Sequence, residues 1–259
     1  MKISCIQMDM VLGAVEENFF RAQSMVRTAA EKERPDVIVL PETWNTGFFP
    51  KDLEASADRD GERTKAVFSP LARELNVNIV CGSVASKRAD GFYNTAYVFD
   101  RSGEVIAQYD KTHLFTPSGE HECFCSGGHT CRFDLDGHTC GLITCYDIRF
   151  PELARSLALE GIELLFVPAQ WPAKRTMHLD TLARARAIEN QMFLVLCNSA
   201  ARDTACGGHS AVIDPWGEYL ARAGASEEII TAQVDFTVIE GIRASINVFR
   251  DRRPELYRI

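Results

Sequence analysis

The chain has 259 residues, which fits one large α/β domain that can bury most of its apolar surface without disulfide or metal staples. It is 46% hydrophobic and 25% charged, an ordinary balance for a soluble globular protein, and its net charge of −8 argues against a nucleic-acid surface. No apolar run approaches the ~18 residues of a membrane span, and the first ten residues lack the long apolar stretch of an export signal. Nine irregularly spaced cysteines are then expected as reduced thiols in the cytoplasm.

Strand-like and helical runs alternate along the chain. Ile3 to Met8 is a short apolar strand, and Glu16 to Lys32 has helical spacing through Phe19, Ala22, Val26 and Ala29. Val37 to Leu40 is continuous and β-branched, as in a strand buried on both faces. A helix over Thr64 to Asn76 and a strand over Asn78 to Cys81 follow. Tyr93 to Phe99 and Val105 to Tyr109 flank the turn residues Asp100 to Gly103, so they predict an antiparallel hairpin. Then come a strand over Cys140 to Thr144, a helix over Pro151 to Glu160 and a strand over Leu164 to Val167. A long helix spans Met177 to Asn190, and the last strands are Phe193 to Asn198, His209 to Ile213 and Ile229 to Val234. Hairpins and βαβ units without a break or a fixed-period repeat predict one domain, 1–259, of mixed sheets layered with helices.

Three apolar runs each end in a reactive side chain: Val37 to Leu40 leads to Glu42, Val105 to Tyr109 to Lys111, and Gly141 to Thr144 to Cys145. Cys145 stands where a strand meets a helix, a turn that exposes a nucleophile and aims backbone N–H groups at its reaction partner. An arbitrary cysteine is far more often a buried structural thiol. Here a cation, Lys111, could lower its pKa and later hold an oxyanion. A carboxylate at the end of a buried strand, Glu42, is costly unless paired, and could act as a general base.

Taken together, Leu40-Pro41-Glu42, Tyr109 to Phe115 and Cys145 to Glu152 resemble the three signature segments of the nitrilase superfamily of carbon–nitrogen hydrolases. The resemblance extends through Ala185 to Asn190, Gly208 to Ser210 and Asp214 to Gly217, from Ile3 to about Val248. It implies a four-layer α-β-β-α sandwich and a catalytic Glu42, Lys111 and Cys145. It also implies a second glutamate after the lysine segment, which is Glu120 with Glu122 as runner-up. The backbone N–H of Tyr146 would share the oxyanion with Lys111, and no metal or organic cofactor is needed. Members of the family form dimers, and the tail from about 247 to 259 resembles a segment that crosses to a second subunit.

Cys145-Tyr146-Asp147-Ile148-Arg149-Phe150-Pro151, with Ala169 to Pro172, looks like the ω-amidase branch, whose members hydrolyse the terminal amide of 2-oxo acids such as 2-oxoglutaramate. A free carboxylate on the substrate suits a guanidinium. Arg149 is the expected donor, unless it is spent on Glu152 or Asp147; Arg175 is a weaker candidate. Trp171 and Phe115 are expected as pocket walls. The alternatives are an amidase for 2-oxo-4-methylthiobutyramide, an N-carbamoyl amidase, a nitrilase or a catalytically silent binding protein. His121, Cys123, Cys125, His129 and Cys131 raise a zinc site, but the single residue between Cys123 and Cys125 is too few for the usual ligand pair. The cluster Arg250, Arg252, Arg253 and Arg258, broken by Asp251 and Glu255, suggests a surface or subunit-contact ion-pair network.

Overall fold

In the computed structural model, which describes residues 1–48, 50–200 and 205–258, the continuous apolar runs become strands covered on both faces. The first half runs β1 (Lys2–Gln7), α1 (Val15–Glu33), β2 (Val37–Val39), α2 (Leu53–Ser56), β3 (Asp58–Arg59), α3 (Glu62–Leu75), β4 (Asn78–Arg88), β5 (Gly91–Phe99) and β6 (Val105–Asp110). The one-turn α4 (Glu120–Cys123) leads to β7 (Arg132–Leu135), β8 (His138–Leu142), α5 (Pro151–Leu159), β9 (Leu164–Pro168), α6 (Thr176–Asn190), β10 (Phe193–Cys197), β11 (Ala211–Ile213) and β12 (Tyr219–Arg222). The chain then returns to the first sheet with β13 (Glu228–Gln233) and continues into α7 (Val238–Ser245).

The two sheets have the same plan. One has the order β13-β1-β2-β4-β5-β6, with β3 beside β4, and the other β12-β11-β10-β9-β8-β7. Each has three parallel strands at its centre, β1-β2-β4 and β8-β9-β10, with antiparallel neighbours outside them apart from the short β3, which pairs parallel with β4. The expected hairpin is β5 and β6, closed by a turn in which the Asp100 carboxylate accepts the N–H groups of Ser102 and Glu104.

Period-two alternation sorts each run into layers. Leu164, Phe166, Phe193 and Val195 point between the sheets, where they meet Ile3, Val37, Val80 and Val98. Leu165, Val167, Leu194 and Leu196 point the other way, onto α5 and α6 through Leu157, Leu179 and Ala183. Ile6, Ile38 and Ile79 do the same for α1 and α3, meeting Phe19, Val26, Phe68 and Leu71. The result is an α-β-β-α sandwich, as the resemblance implied. No helix among the described residues is long and apolar enough to cross a membrane.

Several elements differ from their expected form. β4 runs on to Arg88 rather than stopping at Cys81, through a register shift between Val80 and Ser83. Gly82 makes this possible. Its φ is +57°, and a Cβ there would lie 1.9 Å from the Pro41 carbonyl oxygen, so the strand can press against the segment that carries Glu42. The strand expected from His209 begins at Ala211, and β7, β12 and α7 were not anticipated. The tail is largely exposed, with Arg253 paired to Glu255 and Arg252 over the Tyr257 ring; its last residue, Ile259, lies outside the described residues.

Candidate active site

The reactive groups gather beyond the carboxyl ends of strands, the usual place for sites in α/β sheets. Glu42 follows β2, Lys111 follows β6, and Cys145 follows β8. Two of the three turns contain a non-glycine residue in the left-handed region: Cys145 itself at φ +47° and Thr43 at φ +40°. Each such residue costs about 1–3 kcal/mol and persists only where its surroundings hold it. Thr43 is held by its N–H to the Ser83 hydroxyl, at 3.0 Å, and the Ser83 N–H in turn reaches the Pro41 carbonyl. Cys145 opens a 3₁₀ turn, Cys145–Arg149, and the Asp147 carboxylate in that turn accepts the Thr144 N–H at 2.9 Å.

Glu42, Lys111 and Glu120 are sealed from water. The Lys111 ammonium donates to Glu42 Oε1 at 2.8 Å and to Glu120 Oε2 and Oε1 at 2.9 and 3.1 Å. Glu42 Oε2 accepts the Gln170 N–H at 2.8 Å, and Glu120 Oε2 accepts the Phe115 N–H at 2.6 Å. Asn94, on β5, donates through Nδ2 to Oε1 of both carboxylates, at 2.9 and 3.1 Å. Glu122, by contrast, is exposed, so Glu120 is the glutamate that joins the cluster.

Burial works against the Lys111 charge, yet the carboxylates of Glu42 and Glu120 outweigh it and hold the ammonium above its ordinary range. The thiol of Cys145 shows the opposite balance. Burial pushes it well up and the Glu42 carboxylate pushes it further, while Lys111 pulls it down by less. Lys111 thus acts on the thiol in the expected direction, but its charge is shared by two carboxylates and does not outweigh burial and Glu42. On balance the thiol is held well above its ordinary range.

Cys145 and Lys111 lie at the base of a cavity of about 350 Å³. Phe115, Trp171, Leu12 and Phe48 form apolar walls, and Arg149 and Arg175 line the same cavity. Arg149 pairs with neither Glu152 nor Asp147. Its guanidinium sits over the Trp171 ring at 4.6 Å and contacts His178 Nδ1 at 3.4 Å. Arg175 lies over Phe115 at 5.2 Å, and its carbonyl accepts the Trp171 indole N–H. Burial lowers the Arg149 pKa, as does the charge on Arg175. Among the described residues, neither guanidinium is paired with a carboxylate.

Asp147, Asn94 and the Gln170 backbone were not anticipated in the site. Asp147 is buried and accepts the Tyr109 hydroxyl at 2.7 Å and both the N–H and Nδ1 of His113 at 2.8 Å, so it ties the lysine segment to the cysteine turn. The sequence does carry a sign of Asn94, a polar, strand-averse residue inside an apolar strand. The loop residues raised for zinc disperse: Cys131 is buried between the sheets, Cys123 is exposed, and the His129 ring edges onto Tyr109. Among the described residues, no three His, Cys, Asp or Glu side chains converge as a metal site.

A family model, "Carbon-nitrogen hydrolase", matches residues 2–244. The chain belongs to the carbon–nitrogen hydrolase family. This hydrolase is 40% identical to a 2-oxoglutaramate amidase of Bacillus subtilis (strain 168), over 98% of each chain. It is 34% identical to the omega-amidase NIT2 of Homo sapiens, over 94% of this chain and 92% of the human one. Among solved structures it superposes on Saccharomyces cerevisiae Nit3, a member of branch 10 of the nitrilase superfamily, with a TM-score of 0.89 at 30% identity, over 98% and 96% of the two chains. As a family member it acts on carbon–nitrogen bonds other than peptide bonds.

Proposed function

We propose that this hydrolase is an ω-amidase that converts the terminal carboxamide of a small 2-oxo acid, of the 2-oxoglutaramate kind, to the acid and ammonia. The observation that carries the proposal is one cavity lined by a thiol, an ammonium and two guanidiniums, with the ammonium held by two buried carboxylates. An amide at Cys145 with a carboxylate at its other end uses both sets. Two relatives with the names 2-oxoglutaramate amidase and omega-amidase NIT2 support the same reading.

In this mechanism Cys145 Sγ attacks the amide carbon as its proton passes to Glu42. The oxyanion is held by Lys111 Nζ and the Tyr146 N–H. Glu42 returns the proton to the nitrogen, ammonia leaves, and a thioester remains on Cys145. Water then attacks the thioester while Glu42 takes its proton, and the acid departs as the thiol re-forms. Glu120 orients Lys111 through the hydrogen bonds already in place and helps to position the leaving nitrogen. Arg149, with Trp171 and Phe115 beside it, binds the substrate carboxylate.

The proposal extends to a cytoplasmic homodimer with residues from about 247 at the subunit contact; Leu256 and Tyr257 are apolar side chains left 64% and 46% exposed on that tail. Ammonia release tests the chemical reading, with 2-oxoglutaramate compared against glutamine, 2-oxosuccinamate, 2-oxo-4-methylthiobutyramide, an N-carbamoyl amino acid and a simple nitrile. Fast release from the 2-oxo amides, absent in Cys145→Ala, is expected. Preference for the nitrile or the carbamoyl compound would overturn it.

A further inference from the structure

The catalytic cluster is short of positive charge. Two carboxylates, Glu42 and Glu120, share one ammonium in a space closed to water. Among the described residues, the other titratable group against Glu42 is Cys145, and Gln170 adds only a backbone N–H to the carboxylate. An unmatched buried carboxylate would take up a proton, and a protonated Glu42 could not receive one from Cys145. Something must offset the second negative charge.

We propose that Asn94 is a positioning residue that keeps Glu42 and Glu120 ionised together around Lys111. Its Nδ2 group donates one hydrogen to Glu42 Oε1 at 2.9 Å and the other to Glu120 Oε1 at 3.1 Å. The same residue's carbonyl accepts the Lys111 N–H at 2.9 Å, so one residue fixes the lysine backbone and both carboxylates. The amide orientation follows from the chemistry: turned over, Oδ1 would face two carboxylate oxygens. As it stands, Oδ1 is buried with no hydrogen-bond partner among the described residues. Leaving that acceptor unsatisfied costs about 1–3 kcal/mol, which the two hydrogen bonds to carboxylates offset. Aspartate has nearly the same shape but adds a third carboxylate in place of the donors, and alanine removes the donors alone.

This rests on Glu42 being the base, as proposed above, but not on the identity of the substrate. Its test therefore has a readout that uses none. The rate of Cys145 alkylation by iodoacetamide, followed against pH in the wild type, Asn94→Ala and Asn94→Asp, is measured beside 2-oxoglutaramate hydrolysis. In Asn94→Ala the limb on which alkylation rises with pH is expected to move up by about one pH unit. kcat is expected to fall about 10- to 100-fold with KM within threefold, a share of what general acid–base catalysis supplies. Asn94→Asp, close to isosteric, keeps the packing volume and should move the limb further. An unmoved limb in both folded variants would overturn the proposal, as would a loss confined to KM. If the limb moves but no form hydrolyses the oxo amide, the positioning role stands and the substrate reading fails.

Discussion

At the base of the cavity, Lys111 is closed off from water and held by three carboxylate oxygens, and every turn that brings a reactive group there is pinned by further hydrogen bonds. Along its wall, Arg149 and Arg175 are only partly buried and rest on aromatic rings. The difference follows from what each part must do. Bond breaking needs donors and acceptors already in place, because reorganising them during the reaction would add to the barrier. Substrate recognition needs charges still accessible to an incoming carboxylate, so the guanidiniums are left without a carboxylate partner among the described residues. A base built in this way should fail abruptly when altered. A wall built in this way should fail gradually and in a substrate-dependent manner.

The largest expected effect is at Lys111. Lys111→Met strands two buried carboxylates, so turnover should vanish and the unfolding free energy should drop by about 3–5 kcal/mol, read from denaturant titration. A loss of activity with no loss of stability would show that the carboxylates find other partners. Glu42→Gln keeps the shape and removes the base. It should lower kcat by about 10²- to 10⁴-fold while the protein unfolds near the wild-type midpoint.

Next comes the support beneath the base. Gly82→Ala forces a Cβ into the Pro41 carbonyl at φ +57°, and the strain should cost at least about 1–3 kcal/mol and displace Glu42. The checks are the thermal midpoint and kcat; an unchanged kcat would separate the bulge from the site. At the wall, Arg149→Ala should raise KM for 2-oxoglutaramate at least tenfold, since a charged hydrogen bond contributes about 1.5–3 kcal/mol. Hydrolysis of an uncharged amide such as propionamide should change little. Equal losses on both substrates would mean that Arg149 serves the chemistry instead. Glu122→Gln, at an exposed position, should alter neither parameter by more than about twofold.

The pH dependence sharpens the same contrast. Lys111 has its pKa raised by folding, so its contribution to stability is complete below the unfolded lysine value and is lost only as pH climbs through the higher folded one. Lys111 should therefore contribute no stability change between about pH 6 and 8, below the range in which unfolded cysteines ionise. Cys145 is also raised, by burial first and then by Glu42, so the neutral thiol persists through that range.

How much of this was legible beforehand varies with distance along the chain. The layers follow from local pattern: an uninterrupted β-branched run such as Val37 to Val39 must be covered on both faces, and the spacing from Phe19 to Ala29 must lie along one side of a helix. Glu42, Lys111 and Cys145 stood out because each ends such a run. β4 was cut short because its second half, from Gly82 to Arg88, holds polar residues that only its neighbours β3 and β5 stabilise. Asn94 and Asp147 act on partners far away in sequence, Asn94 on Glu42 and Asp147 on Tyr109, and no local periodicity encodes such a contact. Arg149 was named, but its freedom from Glu152 and Asp147 is a tertiary fact.

The most direct test is an acid-quenched mass spectrum of the intact enzyme during turnover of 2-oxoglutaramate, with any adduct mapped by proteolysis. The account predicts an acyl group of the substrate's mass less ammonia, bound at Cys145 and absent from Cys145→Ala. Ammonia release that continues in Cys145→Ala, with no adduct on the wild-type thiol at any time, would contradict it.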